Sequence, residues 1–191
     1  MDKLNDFLFR WRGALMALVA LLCLVQARPT PESWQLGLRL AVVGEMLRLW
    51  AIGYSGEATR SQDLKAPFLV TAGPYAYVRN PLYLGNLCNN LGVLVAAFYP
   101  WAWGRLAGWF LLTAGFYGLL ARREEKFLLQ LFGQEYEAYR RQVRGWWPSG
   151  RAYAGARGGF CWMRSLRFER SSLLWWGLIW VVLGWWAQRC G

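Results

Sequence analysis

GPYAYVRNPLYLG, residues Gly73 to Gly85, is a polar turn that opens directly into an apolar helix. Gly73-Pro74 is a turn signal. Asn80-Pro81 is a helix-start signal, with Asn at the N-cap and Pro at the first helical position, where its missing N–H is no loss. The helix predicted from here therefore presents its first backbone N–H groups at the polar end, an arrangement that favours a carboxylate or phosphate. Arg79, just ahead of that start, is placed to add a bidentate contact to the same anion. Tyr75 and Tyr77, followed by Val78, and then Tyr83 bring flat faces suited to a base or a cation. Gly85 and Asn86, one turn in, leave room for a ligand to approach the helix.

Composition decides what surrounds this turn. Hydrophobic residues make up 56% of the 191 and charged residues 17%, against roughly 25% charged in an average soluble domain. The fold class expected is all-α and integral membrane, with five transmembrane helices and a cytoplasmic amphipathic helix in a single domain. The net charge of +11 comes without a soluble nucleic-acid-binding module, and 14 Trp with clustered Arg suit a membrane–water interface better. Nucleic acid is therefore not an expected partner, whereas membrane lipids are. The chain has no His, which excludes His-based triads and His metal sites. Cys23, Cys88, Cys161 and Cys190 show no metal or disulfide spacing, so no metal is expected.

The predicted spans are about 11–27, 34–54, 82–99, 103–121 and 172–187. The first resembles a signal-peptide core in length, but Arg28-Pro29 follows in place of a small-residue cleavage site, so it reads as a membrane helix. Thr30-Pro31-Glu32-Ser33 starts the second helix. That helix carries Arg39, Glu45 and Arg48, with Glu45 and Arg48 at the i,i+3 spacing that lets them pair. A short link at Pro100-Trp101 makes the third and fourth helices an antiparallel hairpin whose outer ends return to one side. Asn89 and Asn90 read first as bonds to neighbouring helices. Residues 55–72 read as a polar loop and 149–171 as a linker lying over anionic headgroups. With the N-terminus inside, the inner segments carry Lys3, Arg10, Arg12, Arg60, Lys65, Arg79 and the basic residues from Arg122 through Arg170, while the outer ones carry Arg28 and Arg189. The positive-inside rule then puts the polar turn in the cytoplasm.

The hairpin brings a second polar segment to that side, RREEKFLLQLFGQEYEAYRRQV from Arg122 to Val143. Its Glu124-Glu125 pair suits a cation, an amino group, ribose hydroxyls or proton transfer, although taken alone it reads first as a solvated helix end balanced by Arg122, Arg123 and Lys126. Beyond it Phe127, Leu128, Leu131, Phe132, Tyr136, Tyr139 and Val143 recur at three to four residues, which predicts an amphipathic helix on the membrane surface bent at Gly133. The cofactor site is expected from 69–86 and 122–148.

The two blocks GPYAYVRNPLYLG and EEKFL…FGQEYEAY resemble the isoprenylcysteine carboxyl methyltransferase and phospholipid methyltransferase superfamily of integral-membrane enzymes. In that family G-x-Y-x-x-x-R-H-P-x-Y-x-G is followed, one helical hairpin later, by E-E-x-x-L and F-G-x-E-Y-x-x-Y. The resemblance covers about Leu69 to Pro148. It implies S-adenosylmethionine in a cytoplasmic pocket and transfer of its methyl group to a lipophilic acceptor from the bilayer, an isoprenoid-cysteine-like carboxylate or a phospholipid amine. By position, Gly73, Pro74, Tyr75, Arg79, Pro81, Tyr83 and Gly85 hold the cofactor and Glu124 and Glu125 close the pocket. Arg79, Glu124 and Glu125 are the residues nearest the chemistry. The family's His is replaced here by Asn80, which keeps a cap and a hydrogen bond but shuttles no proton. An ionised acceptor needs mainly positioning, whereas an amine would turn to Glu124 or Glu125 for a base. Other readings are an NADPH-dependent reductase of the sterol and steroid reductase type, and a non-catalytic membrane scaffold.

Overall fold

A computed structural model describes residues 3–56 and 68–190. Most of the loop expected over 55–72, including Arg60 and Lys65, lies outside the described residues, as do both extreme ends. Within them the chain is helical, with α1 Lys3–Val25, α2 Pro31–Ser55, α3 Pro81–Phe98, α4 Trp103–Phe132, α5 Gln134–Gln142 and α6 Trp162–Cys190. A short 3-10 helix covers Gly73–Ala76. No strand forms among the described residues, which is the all-α class expected. One described helix, Pro81–Phe98, is long and apolar enough by itself to cross a membrane.

Two expected boundaries move. The helix expected to leave the membrane near 121 runs on unbroken to Phe132, because Arg122 to Leu131 has no Gly or Pro to stop it. The break comes at Gly133, whose φ of 51° lies in the left-handed region that Gly tolerates. The linker expected over 149–171 ends early. α6 begins at Trp162, with Ser165 and Glu169 buried four residues apart and Arg167 and Arg170 exposed, the alternation of a helix with one packed face.

The chain forms two compact units. The first comprises Met1–Gly44, Leu87–Leu119 and Ser172–Gly191. At its α2 start, Thr30 N–H donates to Ser33 Oγ and Ser33 N–H to Thr30 Oγ1, a reciprocal cap. Ser33 Oγ also donates to Ala96 O at 2.9 Å, joining α2 to α3. The two helices touch through glycine. A Cβ on Gly92 would stand 2.5 Å from Gly37 O and 2.9 Å from Ala41 Cβ, so the backbones meet with no room for a side chain. Around them Leu94, Phe98, Trp180 and Leu183 form the core. Several polar groups in these apolar helices are matched in pairs. Thr113 Oγ1 donates to Asn90 Oδ1 at 3.1 Å and Trp176 Nε1 to Asn89 Oδ1 at 3.0 Å, so both asparagines bond neighbouring helices. Arg39 is exposed, as expected of a residue that keeps its charge at the surface.

The second unit comprises Glu45–Asn86 and Leu120–Ser171. Its apolar centre is Leu69, Tyr136, Tyr139 and Val143, flanked by Leu128, Leu129, Phe132 and Tyr153. The apolar stripe expected to lie on a membrane surface is thus filled by protein at Tyr136, Tyr139 and Val143, each nearly solvent-free. The physical reason is the break at Gly133, which separates α5 from α4 and lets its tyrosines turn inward.

The glycine contacts make a testable contrast. Gly92→Val is expected to destabilise by about 1–3 kcal/mol through overpacking. Gly115→Ala, on an exposed face of α4 with nothing within 4 Å, is expected to stabilise by roughly 0.5–1 kcal/mol through helix propensity. Thermal unfolding of the purified variants checks both, and a Gly92→Val midpoint at or above the parent's would show that the helices do not meet there.

Candidate functional site

The polar turn is held from below by α2 and from the side by residues that lie far away in sequence. Gly73 has φ +63°, and a Cβ there would fall 2.2 Å from the Tyr54 ring, so glycine is required twice over. Tyr54 is itself fixed at the end of α2. Arg164 Nη1 donates to Tyr54 O at 3.1 Å, Cys161 N–H donates to Gly53 O at 3.0 Å, and the Phe160 ring lies 5.5 Å from the Tyr54 ring.

Residues 144–157 form a strap whose backbone pairs along the turn. Val78 and Arg144 make an isolated parallel bridge, and Arg79 N–H donates to Arg144 O at 2.9 Å. Ser149 N–H donates to Tyr77 O, Tyr153 N–H to Ala76 O, and both Thr71 and Ala72 N–H to Arg157 O. The turn leaves these groups without internal partners, and the strap supplies them.

Where the turn meets α4, three of the expected residues converge. Asn80 Nδ2 donates to Glu125 Oε1 at 2.8 Å and to Gly145 O at 3.2 Å. Arg79 Nε donates to Val143 O at 2.9 Å, and its Nη1 lies 2.8 Å from Glu125 Oε2. That Nη1 is buried at ion-pair distance but outside hydrogen-bond geometry. The guanidinium expected to face an outside anion is thus partly engaged by protein, through Nε at Val143 O and the ion pair with Glu125. Asn80 O accepts from Leu84 N–H at 3.0 Å, as an N-cap carbonyl does, and Pro81 begins α3 as the spacing predicts.

Two residues outside the expected set complete this corner. Tyr139 donates its hydroxyl to Tyr75 O at 2.7 Å, and the Tyr136 phenol lies beside Arg79 and Glu125. They are the tyrosines of the FGQEYEAY block, read from sequence as surface residues when the motif itself was the signal. Burial, with the Glu125 charge adding to it, pushes the Tyr136 phenol up to about 12. Burial also raises Tyr75 and Tyr139 well above the usual range, with the negative charge of Glu124 adding at Tyr75, whose phenol bonds Ser55. All three phenols are neutral at ordinary pH.

The remaining expected residues divide. Pro74, Val78, Pro81 and Gly85 are buried and shape the backbone. Tyr83 is half-buried, whereas Tyr77 is 41% exposed and stands clear of the cluster. Glu124 is half-buried and acts electrostatically on Tyr75 and Tyr136. Asn86 belongs to a second polar group, accepting from Arg48 Nη1. Arg48 also pairs with Glu45, its i,i+3 partner, at 3.4 Å and with Glu169 of α6 at 2.8 Å. The expected Glu45–Arg48 pair forms, and Glu169 is the member that sequence spacing did not reveal.

The raised phenols carry a pH consequence. Between the ordinary Tyr value of 10.0 and about 12, the unfolded chain releases a proton that folded Tyr136 keeps, so its contribution is full below 10.0 and is lost as pH rises to about 12. Tyr136→Phe is expected to make the alkaline fall in stability shallower. Unfolding midpoints measured across this window check it, and an unchanged slope would count against the assignment.

Comparison with known proteins gives a family. The phospholipid methyltransferase profile matches residues 33–135, more than half of the chain. Among curated relatives, the cobalt-zinc-cadmium resistance protein CzcN of Cupriavidus metallidurans is 35% identical over 121 residues, 63% of this chain and 50% of that protein. The protein-S-isoprenylcysteine O-methyltransferase of Schizosaccharomyces pombe is 34% identical over 114 residues, 56% of this chain and 44% of the relative. The Mus musculus enzyme of the same name is 30% identical over 121 residues, 56% and 38% respectively. The chain thus spans half or less of the length of these three relatives. No solved structure matches. With the turn, the Glu125 corner and the FGQEYEAY tyrosines all inside or beside the matched segment, the chain belongs to the phospholipid methyltransferase family.

Proposed function

We propose that the protein is a membrane methyltransferase that uses S-adenosylmethionine to methylate a lipophilic acceptor drawn from the bilayer. The observation that carries this is the corner at Glu125, where the two blocks separated by a helical hairpin meet through Arg79 and Asn80. Family membership supports the reaction class.

The residues present suit such a cofactor. Its amino-acid end carries a carboxylate and an ammonium, and its sulfonium is a cation that supplies an activated methyl group for in-line transfer. Arg79 Nη1, paired with Glu125 but without a hydrogen bond of good geometry, keeps N–H capacity that a second carboxylate would use. The start of α3 adds backbone N–H groups of the first turn. Glu124, together with the half-buried rings of Tyr75 and Tyr83, gives a cation carboxylate and aromatic surroundings.

In this reading Glu125 is a positioning residue. Both its oxygens are engaged, one by Asn80 and one by Arg79, so it holds the corner in place. Val78, Pro74 and Gly73 fix the backbone. The chain as a membrane protein has five spans, with the turn and α5 on the cytoplasmic side, as the basic residues from Arg122 through Arg170 favour.

The test is a titration of purified protein with S-adenosylmethionine, followed by incubation of the radiolabelled compound with a total lipid extract. The parent is expected to bind and to label a lipid species. Arg79→Ala and Glu125→Ala are each expected to weaken binding by about tenfold or more, the scale of a lost charge-assisted hydrogen bond. Unchanged affinity in both variants would remove the assigned pocket, and protection against heat by NADPH in place of S-adenosylmethionine would assign a reductase.

A further inference from the structure

We infer that Arg48 is a positioning residue for the cofactor, acting through Asn86, and that Asn86 meets the ligand as a hydrogen-bond donor. The inference rests on the cofactor reading above and extends it to a part of the second unit that the two sequence blocks do not include.

Asn86 Oδ1 accepts from Arg48 Nη1. An amide whose oxygen is fixed has its orientation fixed too, and what it has left to offer is Nδ2 with its two hydrogens. No hydrogen bond from that Nδ2 occurs among the described residues, and the atom is not among the buried unsatisfied ones. It is thus an accessible donor on α3, at the i+3 position from Tyr83 and next to Gly85. A ligand atom that fits it is an acceptor, such as a carboxylate or hydroxyl oxygen of the cofactor.

Arg48 is in turn held from two further helix segments. Its Nη2 reaches Glu169 Oε2 at 2.8 Å on α6, and its Nε lies 3.4 Å from Glu45 Oε2 on its own helix. Glu169 is 1% exposed and Glu45 6%. Two carboxylates and one guanidinium in so dry a place carry a desolvation cost that apolar residues of similar volume would not, so packing alone does not account for them. What the group secures is geometry. A guanidinium has a planar fork that one ammonium cannot reproduce, and here the fork sets the angle of a neighbouring amide.

The test uses the full chain with S-adenosylmethionine as probe, measuring affinity by titration and the unfolding midpoint without ligand. Asn86→Leu keeps the branched shape and removes the donor together with the oxygen that Arg48 holds, and is expected to weaken binding by about tenfold. Arg48→Lys keeps the charge opposite Glu45 and Glu169 but not the fork, and is expected to weaken binding to a similar degree. The double variant is expected to bind no worse than Asn86→Leu alone, because Arg48 acts through Asn86. A purely structural group would lower the midpoints and leave affinity in place. Parent-like affinity in Asn86→Leu, or a double variant whose loss is the product of the two single losses, overturns the inference. If Arg48→Lys does not fold, Asn86→Leu decides the matter alone. A parent protein with no affinity overturns the cofactor reading and this inference with it, whereas a parent that binds beside an unmoved Asn86→Leu overturns this inference only.

Discussion

Glu125 joins what the chain keeps apart. Its two oxygens face Arg79 and Asn80 from the far end of a helical hairpin, and without that carboxylate the largely enclosed guanidinium would lose its ion pair. Removing one partner of a half-buried pair costs more than the pair itself contributes, because the other charge is left uncompensated. The same corner explains why Asn at position 80 is chemically competent. Its single NH2 group serves Glu125 Oε1 and Gly145 O at once, whereas a neutral imidazole has one N–H and satisfies one acceptor. Asn80 thus keeps the connection to the strap.

The first unit treats polarity in the opposite way. It spreads single neutral hydrogen bonds over helix interfaces, Asn89 to Trp176, Asn90 to Thr113 and Ser33 to Ala96, and brings α2 and α3 together through glycine. Small residues and isolated polar bonds are how helices associate where hydrophobic burial gives little preference between partners. Charges are concentrated in the second unit, where Arg48, Arg79 and Arg164 each meet several acceptors.

Much of this is legible in the sequence wherever a residue type signals its own local geometry. Asn80-Pro81 marks the start of α3, Thr30 to Ser33 marks that of α2, and the i,i+3 spacing marks the Glu45–Arg48 pair. The meeting of the turn with the segment from Arg122 follows once the hairpin brings both ends to one side, but the pairing of Arg79 with Glu125 does not. The strap is different. Its bonds to the turn run between backbone groups, Arg144 O to Arg79 N–H and Tyr77 O to Ser149 N–H, and backbone groups are the same in every sequence. Tyr136 and Tyr139 mislead for another reason, since an amphipathic stripe looks alike whether lipid or protein covers it. Arg164, Arg167 and Arg170 resemble a charged linker until Ser165 and Glu169 are seen as the buried face of the same helix.

The strap also sets an order of events during synthesis. Thr71 and Ala72 receive their acceptor only when Arg157 has been made, and Arg79 receives its own only at Arg144. Between them come all of α3, α4 and α5. Contacts so distant along the chain close late, because the loop between them must be ordered first. A ribosome-bound chain therefore carries its hairpin before the strap can close on the turn.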